Sequence, residues 1–259
     1  MKTSLSRALA TLAVDVPISI PPNWLQGRTA YGGLSAAMAL HLVRQGSDES
    51  LPPLKAANIS FVGPVTELAQ FQTEILRTGK SATQIGVDVR VNETLSMRAS
   101  FIFGAARTSQ IQHVRVQAPL VEKPEHYALL SGDAAEMGHF QNFDIRFVSD
   151  ARPVSGATVP EMLAWVRLKE SEGVAPDVAM LALGDCLPPA SMALFKEPAP
   201  ISSMVWSINF PQPAAYSAWF LLRSSSLVAA DGYSYQIMEM WDEDGNLVLI
   251  STQTVAIFI

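Results

Sequence analysis

Cysteine and long apolar runs are both scarce in this sequence. Cys186 is the only cysteine among 259 residues, which excludes an internal disulfide bond and a metal site built from several cysteines. No apolar run approaches the ~20 residues of a transmembrane helix, so we expect no membrane insertion. Near the N-terminus, Asp15 ends the apolar run Ala8–Val14, which is too short for a signal peptide. We therefore expect a cytoplasmic protein.

Basic residues are also fewer than acidic residues. Lys and Arg number 18 against 24 Asp and Glu, which gives a formal net charge of −6. This balance argues against nucleic acid as a partner, although a local basic patch can still hold a phosphate group. Apolar residues, by contrast, make up 49% of the chain, enough for a sizeable core. The length fits one large domain or two small ones.

The first half predicts one buried helix among strands. Leu34–Gln45 is rich in helix-forming residues and mostly apolar on all sides, as a buried helix would be. Gly32 and Gly33 lie at its N-terminus, where they let a ligand approach free N–H groups or simply make a tight turn. β-Branched and apolar segments predict strands at residues 12–20, 54–61, 70–77, 83–91 and 96–103.

The second half predicts the same order of elements. Pro176 suits the first position of a short buried helix, and Leu181 lies on its apolar face. Asp185 falls on that same face, where a carboxylate has a raised pKa or needs dedicated partners. A helix-end Asp that bonds a loop amide is the alternative. Strands are predicted at residues 142–148, 158–169, 204–210, 218–225, 233–242 and 247–258.

Short matches between the halves indicate a duplicated unit. Phe61-Val-Gly-Pro64 corresponds to Phe210-Pro-Gln-Pro213, each closing the strand that follows a helix. A polar, irregular stretch, residues 111–137, separates the halves. We predict domains 1–115 and 139–259 joined by a linker, 116–138. Regular β-α alternation is missing, which argues against a doubly wound parallel sheet.

A set of short motifs occurs in order along nearly the whole chain. They are Gly27-Arg-Thr-Ala-Tyr-Gly-Gly33, Arg77-Thr-Gly-Lys-Ser81, Gly184-Asp-Cys-Leu-Pro188, Ser203 ahead of Phe210, and Asp244-Gly-Asn-Leu-Val-Leu-Ile-Ser-Thr-Gln253. In these motifs the chain resembles the acyl-CoA thioesterase II family and its thioesterase-like relatives. The resemblance implies an α+β fold of two tandem hotdog domains, each an antiparallel sheet wrapped around a central helix. It also implies hydrolysis of acyl-CoA thioesters.

The same resemblance carries the family's reaction centre onto Asp185, Ser203 and Gln253. Val205 departs from the family pattern, which commonly has a second acidic residue there. Asp185 would accept the proton of a water molecule that Ser203 and Gln253 orient. The N–H groups of Gly33 and the first helical turn would stabilise the oxyanion. We expect no cofactor and no metal ion.

The implied partner is an acyl-CoA, whose phosphates call for basic residues at the rim of the site. Arg77, Lys80 and Arg28 are the candidates for these phosphates, with surface solvation as the alternative for each. Gly32 and Gly33 are the other candidate substrate-binding residues. The resemblance also implies a homodimer.

Three other functions stay open at this point. A non-catalytic acyl-CoA-binding protein with this fold would bind CoA esters tightly without turnover. A hotdog hydratase would pair a histidine with a carboxylate, but His41, His113, His126 and His139 all lie outside the motifs of the second half. A cysteine hydrolase would use Cys186, which has no histidine in its motif and a poor setting for a low thiol pKa.

Overall fold

The structure, a computed structural model, describes residues 2–47 and 51–259. One ten-stranded antiparallel sheet carries two central helices that pack against each other. In chain order the elements are α1 Leu5–Ala10, β1 Leu25–Gln26, β2 Thr29–Ala30, α2 Gly32–Gln45, β3 Leu54–Phe61, β4 Ala69–Thr78, β5 Ala82–Val91, β6 Thr94–Gly104, α3 Asp133–Glu136, β7 Phe143–Phe147, β8 Glu161–Leu168, α4 Pro176–Gly184, β9 Ile201–Asn209, β10 Phe220–Ala230, β11 Tyr233–Asp242 and β12 Leu247–Ile257. Between them lie short 3-10 helices at Pro22–Trp24, Pro124–His126, Gly138–Asn142 and Ala190–Leu194.

The two halves share the large sheet, whose strand order is β4-β5-β6-β3-β9-β12-β11-β10-β8-β7. Strands β3 to β6 with α2 form the first half, and strands β7 to β12 with α4 form the second. Antiparallel pairing of β3 with β9 joins them, from Ala56 opposite Asn209 to Ser60 opposite Val205. The predicted α+β arrangement, an antiparallel sheet around one helix, repeated once, is confirmed.

Both central helices are apolar nearly all round because the sheet covers one side and the sister helix another. Pro176 begins α4, where its missing N–H costs nothing, and the helix ends at Gly184. An ion pair also links the helices. Arg44 of α2 donates from Nε to Oδ2 of Asp177 at 2.9 Å, and the Asp177 side chain is buried. Each half therefore covers apolar surface of the other.

The N-terminal prediction is wrong in part. The strand predicted at residues 12–20 is reduced to a single bridge between Ile18 and Ala69. Asp15 adopts a left-handed backbone with φ 60°, and Pro17 has no N–H to donate to a neighbouring strand. Before this segment the chain forms α1, which the sequence analysis missed although Ser4 caps it by accepting a hydrogen bond from the Arg7 N–H.

The irregular stretch between the halves covers a second apolar cluster on the outer face of the sheet. This cluster consists of Leu163, Trp165, Trp219, Leu221 and Trp241. Val116, Ala118 and Val121 pack over it, and the Trp165 indole donates to the Glu122 carbonyl at 3.0 Å. The stretch thus belongs to the fold, while the domain boundaries given above stay a prediction. In the described part of the chain, no helix is long and apolar enough to span a membrane.

Candidate active site

Asp185 lies where the C-terminal end of α4 meets the N-terminal end of α2. It caps α4 with backbone angles of φ −103° and ψ 7°. Its Oδ1 accepts a hydrogen bond from Nε2 of Gln253 at 2.6 Å, and its carboxylate accepts a second from the backbone N–H of Gly33. Elements α4 and β12 of the second half and α2 of the first half therefore converge on one carboxylate.

The N-terminus of α2 comes this close because residue 32 has no side chain. A Cβ on Gly32 would lie 2.8 Å from Oδ2 of Asp185 and 3.0 Å from Cζ of Phe61. N–H groups of a first helical turn carry partial positive charge, which favours an anion beside them. The glycine pair thus meets a carboxylate of the protein itself, and its role in substrate binding stays a prediction.

Burial governs the ionisation of Asp185. It raises the pKa of this carboxyl from its ordinary value of 3.8 to about 7, while the hydrogen bonds from Gln253 and Gly33 oppose the rise. The Gln253 amide and the Gly33 N–H both donate to the carboxylate, and so they favour its charged form. Asp185 therefore has both the dedicated partners and the raised pKa that its place on the apolar helix face predicts. A carboxylate with a pKa near neutrality is suited to accept a proton from water.

We expect Gly32→Ala to lower turnover of an acyl-CoA about 100-fold, because the new Cβ must displace the Asp185 carboxylate and small misplacements of reacting groups have effects of this size. Gly63→Ala is the control, since a Cβ there meets nothing closer than 3.9 Å. Steady-state kinetics and thermal melting are to be measured for both. A Gly32→Ala protein with wild-type turnover would contradict the close approach.

Strand register brings Ser203 onto the face of the sheet that carries Gln253. Gln253 of β12 pairs with Trp206 of β9. A bulge then shifts the register, so that Ser203 pairs with Val255, the next inward-facing residue of β12. Paired residues share a face of the sheet. Within residues 2–47 and 51–259 no hydrogen bond joins the Ser203 hydroxyl to Gln253 or to Asp185, so its role stays a prediction.

Two of the candidate phosphate-binding residues, Arg77 and Lys80, lie away from this centre. Arg77 near the end of β4 and Lys80 in the following turn are both exposed. Strand β4 is an edge strand, five strand intervals from β12, which corresponds to ~24 Å across the sheet. Arg28 is exposed in the turn between β1 and β2. Within one chain, Arg77 and Lys80 are not brought beside Asp185, and the assignment of these three residues to CoA stays a prediction.

Two family profiles match the chain, one to each half. Residues 20–104 match the acyl-CoA thioesterase N-terminal domain, and residues 120–257 match the acyl-CoA thioesterase C-terminal domain. The chain belongs to the acyl-CoA thioesterase family. The resemblance recognised in the short motifs is thereby confirmed. A comparison with curated proteins found no match.

Solved structures place this thioesterase-family chain in the double hotdog fold. A hot dog fold protein from Alicyclobacillus acidocaldarius shares 20% identity at a TM-score of 0.85, with 98% of each chain covered. Acyl-CoA thioesterase II TesB2 from Mycobacterium marinum shares 18% identity at a TM-score of 0.71, with 88% of this chain and 89% of that one covered. The tesB protein of Mycobacterium avium subspecies paratuberculosis shares 17% identity at a TM-score of 0.76, with 99% and 100% covered. At these identities the comparison shows the fold, which confirms the predicted fold class.

Three buried residues of this thioesterase-family chain surround the site and were missed by the sequence analysis. Tyr31 donates from its hydroxyl to the Ala182 carbonyl of α4 at 2.9 Å, which ties the two halves together. Trp206 is fully buried opposite Gln253, and its indole N–H has no partner in the described part of the chain. Gln236 contacts Gln253 directly. Tyr31 lies within the motif Gly27–Gly33 named above, and Gln236 is a polar residue at an inward strand position. The sequence therefore contained a signal for both residues.

Burial favours the neutral forms of Cys186, His41 and His139. Burial and the neighbouring Asp185 raise the pKa of the Cys186 thiol well above its ordinary value, which disfavours a thiolate. Burial lowers the pKa of His41, and it lowers that of His139 to about 4. His139 stacks on Tyr31 with ring centroids 4.4 Å apart. No group of three or more His, Cys, Asp or Glu side chains among the described residues is placed to hold a metal ion.

Proposed function

We propose that the protein hydrolyses acyl-CoA to a free acid and CoA, with Asp185 as general base. The observation that carries the proposal is a carboxylate with a pKa raised to about 7, held by Gln253 and the Gly33 N–H at the junction of two helices. The family domains on both halves support a thioester as the substrate. They do not depend on the pKa argument, so the two lines of support are independent.

The reaction begins with a water molecule oriented by Gln253 and Ser203. Asp185 takes one proton of this water as the oxygen attacks the thioester carbonyl. The tetrahedral oxyanion then collapses, the carbon–sulfur bond breaks, and the proton held by Asp185 passes to the departing CoA thiolate. Because the Gly33 N–H already donates to Asp185, we assign the oxyanion to other N–H groups in the first turn of α2. Water and thioester are thereby converted to acid and thiol with no covalent intermediate.

A turnover screen over acyl-CoA chain lengths, with free thiol as the readout, tests the function. Release of CoA from at least one chain length, lost in Asp185→Asn, is the expected result. Tight binding of CoA esters without release of thiol would favour the non-catalytic binding protein instead. Hydration of crotonyl-CoA without loss of CoA would favour the hydratase.

The pH dependence of kcat follows from the ionisation of Asp185. A general base acts in its deprotonated form, so kcat is expected to rise as pH increases through about 7, the raised pKa of Asp185. At pH 5, two units below, the rate should be roughly 100-fold lower than its alkaline limit. Stopped-flow thiol detection across this range checks the profile. A rate that is flat between pH 5 and 8 would contradict a base with this pKa.

Other parts of the expected function do not follow from the geometry around Asp185. The acyl chain length is left to the turnover screen, and CoA as the carrier is proposed from the family domains. A homodimer and a cytoplasmic location stay predictions. Reduced affinity for CoA esters in Arg77→Ala or Lys80→Ala would support these residues as the phosphate contacts.

A further inference from the structure

A directional chain of hydrogen bonds leads away from Asp185 into the second half. The backbone N–H of Ala190 donates to Oε1 of Gln236 at 3.0 Å. Nε2 of Gln236 donates to Oε1 of Gln253 at 2.9 Å, and Nε2 of Gln253 donates to Oδ1 of Asp185 at 2.6 Å. Four groups from a 3-10 helix, β11, β12 and the end of α4 are thereby connected in one line.

The direction of this chain is fixed at its far end. A side-chain amide has a donor end and an acceptor end, and it can bind its neighbours in either orientation. A backbone N–H only donates, so the Ala190 N–H requires the oxygen of Gln236 to face it. The NH2 group of Gln236 then faces Gln253, and the NH2 group of Gln253 must face Asp185.

We propose that Gln236 is a positioning residue that holds the Gln253 amide with its NH2 group toward Asp185. The proposal rests on the function proposed above, because it concerns the same Asp185 and Gln253. Gln236 is only 2% exposed and lies directly opposite Gln253 in the register of β11 with β12. A buried amide is costly unless it is hydrogen-bonded, and both ends of Gln236 are bonded along this one chain.

The consequence of losing Gln236 follows from the two orientations of Gln253. When Gln236 no longer donates to the oxygen of Gln253, the Gln253 amide can turn and present that oxygen to Asp185. An oxygen acceptor favours the protonated carboxyl, whereas the present NH2 donor favours the carboxylate. The pKa of Asp185 should therefore rise when Gln236 is removed, and the acid limb of kcat should move with it.

Other titratable groups around Asp185 stay neutral in the relevant range. From the segment that begins α2, Tyr31 has a pKa raised well above its ordinary value by burial and by Asp185. The pKa of the Cys186 thiol, next to Asp185 in sequence, is also raised well above its ordinary value by burial and by Asp185. His139, which stacks on Tyr31, has a pKa of about 4 and is neutral above it. The contacts from β12 and α2 are the Gln253 amide and the Gly33 N–H, which do not titrate, so a shift can be assigned to Asp185.

The test is the titration of Asp185 by NMR of protein labelled with 13C at aspartate carboxyl groups, with Asp185→Asn used to assign the signal. Gln236→Met keeps the length of the side chain and removes its hydrogen bonds to Ala190 and Gln253, together with the one from Nε2 to the Met238 sulfur at 3.6 Å. We expect it to raise the pKa of Asp185 by about one unit. Turnover should then fall roughly fivefold at pH 7 and recover at pH 9 with KM unchanged, a recovery that a merely structural defect would not show.

A second variant breaks the hydrogen-bond chain at its far end and leaves residue 236 as glutamine. Ala190→Pro removes the N–H that sets the direction and puts the proline ring against Oε1 of Gln236, at the first position of a 3-10 helix, where proline is tolerated. The preceding Pro189 already has the extended backbone that a following proline requires, with φ −51° and ψ 133°. We expect a shift of the Asp185 pKa in the same direction. This variant decides the question if Gln236→Met does not fold.

Ser234→Ala is the matched control. Ser234 is the inward-facing neighbour of Gln236 on β11 and is fully buried. Among the described residues its hydroxyl bonds the Ser226 hydroxyl, which is not part of the hydrogen-bond chain to Asp185. It should leave the pKa of Asp185 unchanged. An unshifted pKa in folded Gln236→Met, or in Ala190→Pro, would overturn the positioning role even if the wild-type protein turns over acyl-CoA. A shifted pKa in these variants, together with a wild-type protein that does not turn over acyl-CoA, would instead retain the positioning role and reject the proposed function.

Discussion

Replacing Asp185 by asparagine is expected to lower kcat roughly 100- to 10,000-fold, the usual effect of losing a general base. Asparagine keeps the shape of the side chain, and its single oxygen can still accept a hydrogen bond from the Gln253 amide or from the Gly33 N–H. It cannot take a proton from water at neutral pH. The affinity for CoA esters should therefore stay close to that of the wild type, as measured by calorimetry, while thiol release is lost.

Asp144→Asn is the matched control for this substitution. Asp144 is also a buried carboxylate with one dedicated partner, since it accepts from Nε of Arg167 at 2.7 Å. It lies on β7, at the edge of the sheet. Its replacement should lower thermal stability and leave kcat unchanged. A near wild-type rate in Asp185→Asn would return Asp185 to a structural role as a helix cap.

The two halves are expected not to fold when they are expressed apart as residues 1–115 and 139–259. Separation turns β3 and β9 into edge strands, because the pairing from Ala56 to Ser60 that joins them is lost. It also uncovers the faces of α2 and α4 and removes the ion pair between Arg44 and Asp177 that links them. Large exposed apolar patches lead to association. We therefore expect aggregated or non-cooperatively unfolding fragments by sedimentation and thermal melting.

A nicked protein distinguishes loss of covalent connection from loss of contact. A protease site inserted after Gln110, in an exposed irregular segment, allows cleavage of the folded chain. The cleaved halves should remain associated and melt as one unit, since the contacts described above are intact. If either half alone is monomeric, soluble and cooperatively folded, the interdependence of the halves is wrong.

The fold was largely predictable because its elements have strong local patterns. Tyr233–Asp242 occurs as predicted, because it combines a strand pattern with the turn that follows. The N-terminal strand failed because Asp15 and Pro17 interrupt pairing that the apolar pattern alone suggests. Asp185 was recognisable from its place on an apolar helix face, a purely local signal.

The partners of Asp185 were beyond local reasoning. Gln253 lies 68 positions away and reaches Asp185 through the register of the sheet, so only the family resemblance pointed to it. Strict alternation from buried Trp206 would turn Ser203 outward, and the bulge opposite Val255 reverses that. Gln236 carries no motif, and its relation to Gln253 exists only in the pairing of β11 with β12. Sequence periodicity predicts faces, whereas bulges and register decide which polar residues meet.

Intact-protein mass spectrometry of rapidly quenched single turnovers tests whether water activated by Asp185 attacks the thioester directly. No hydrogen bond joins a histidine to Cys186 or Ser203 among the described residues, and a serine without an adjacent base is a weak nucleophile. We predict that the protein keeps its unmodified mass at every time point while free CoA and acid accumulate together. A transient mass increase equal to the acyl group, on Ser203 or Cys186, would contradict the water mechanism and establish a covalent one.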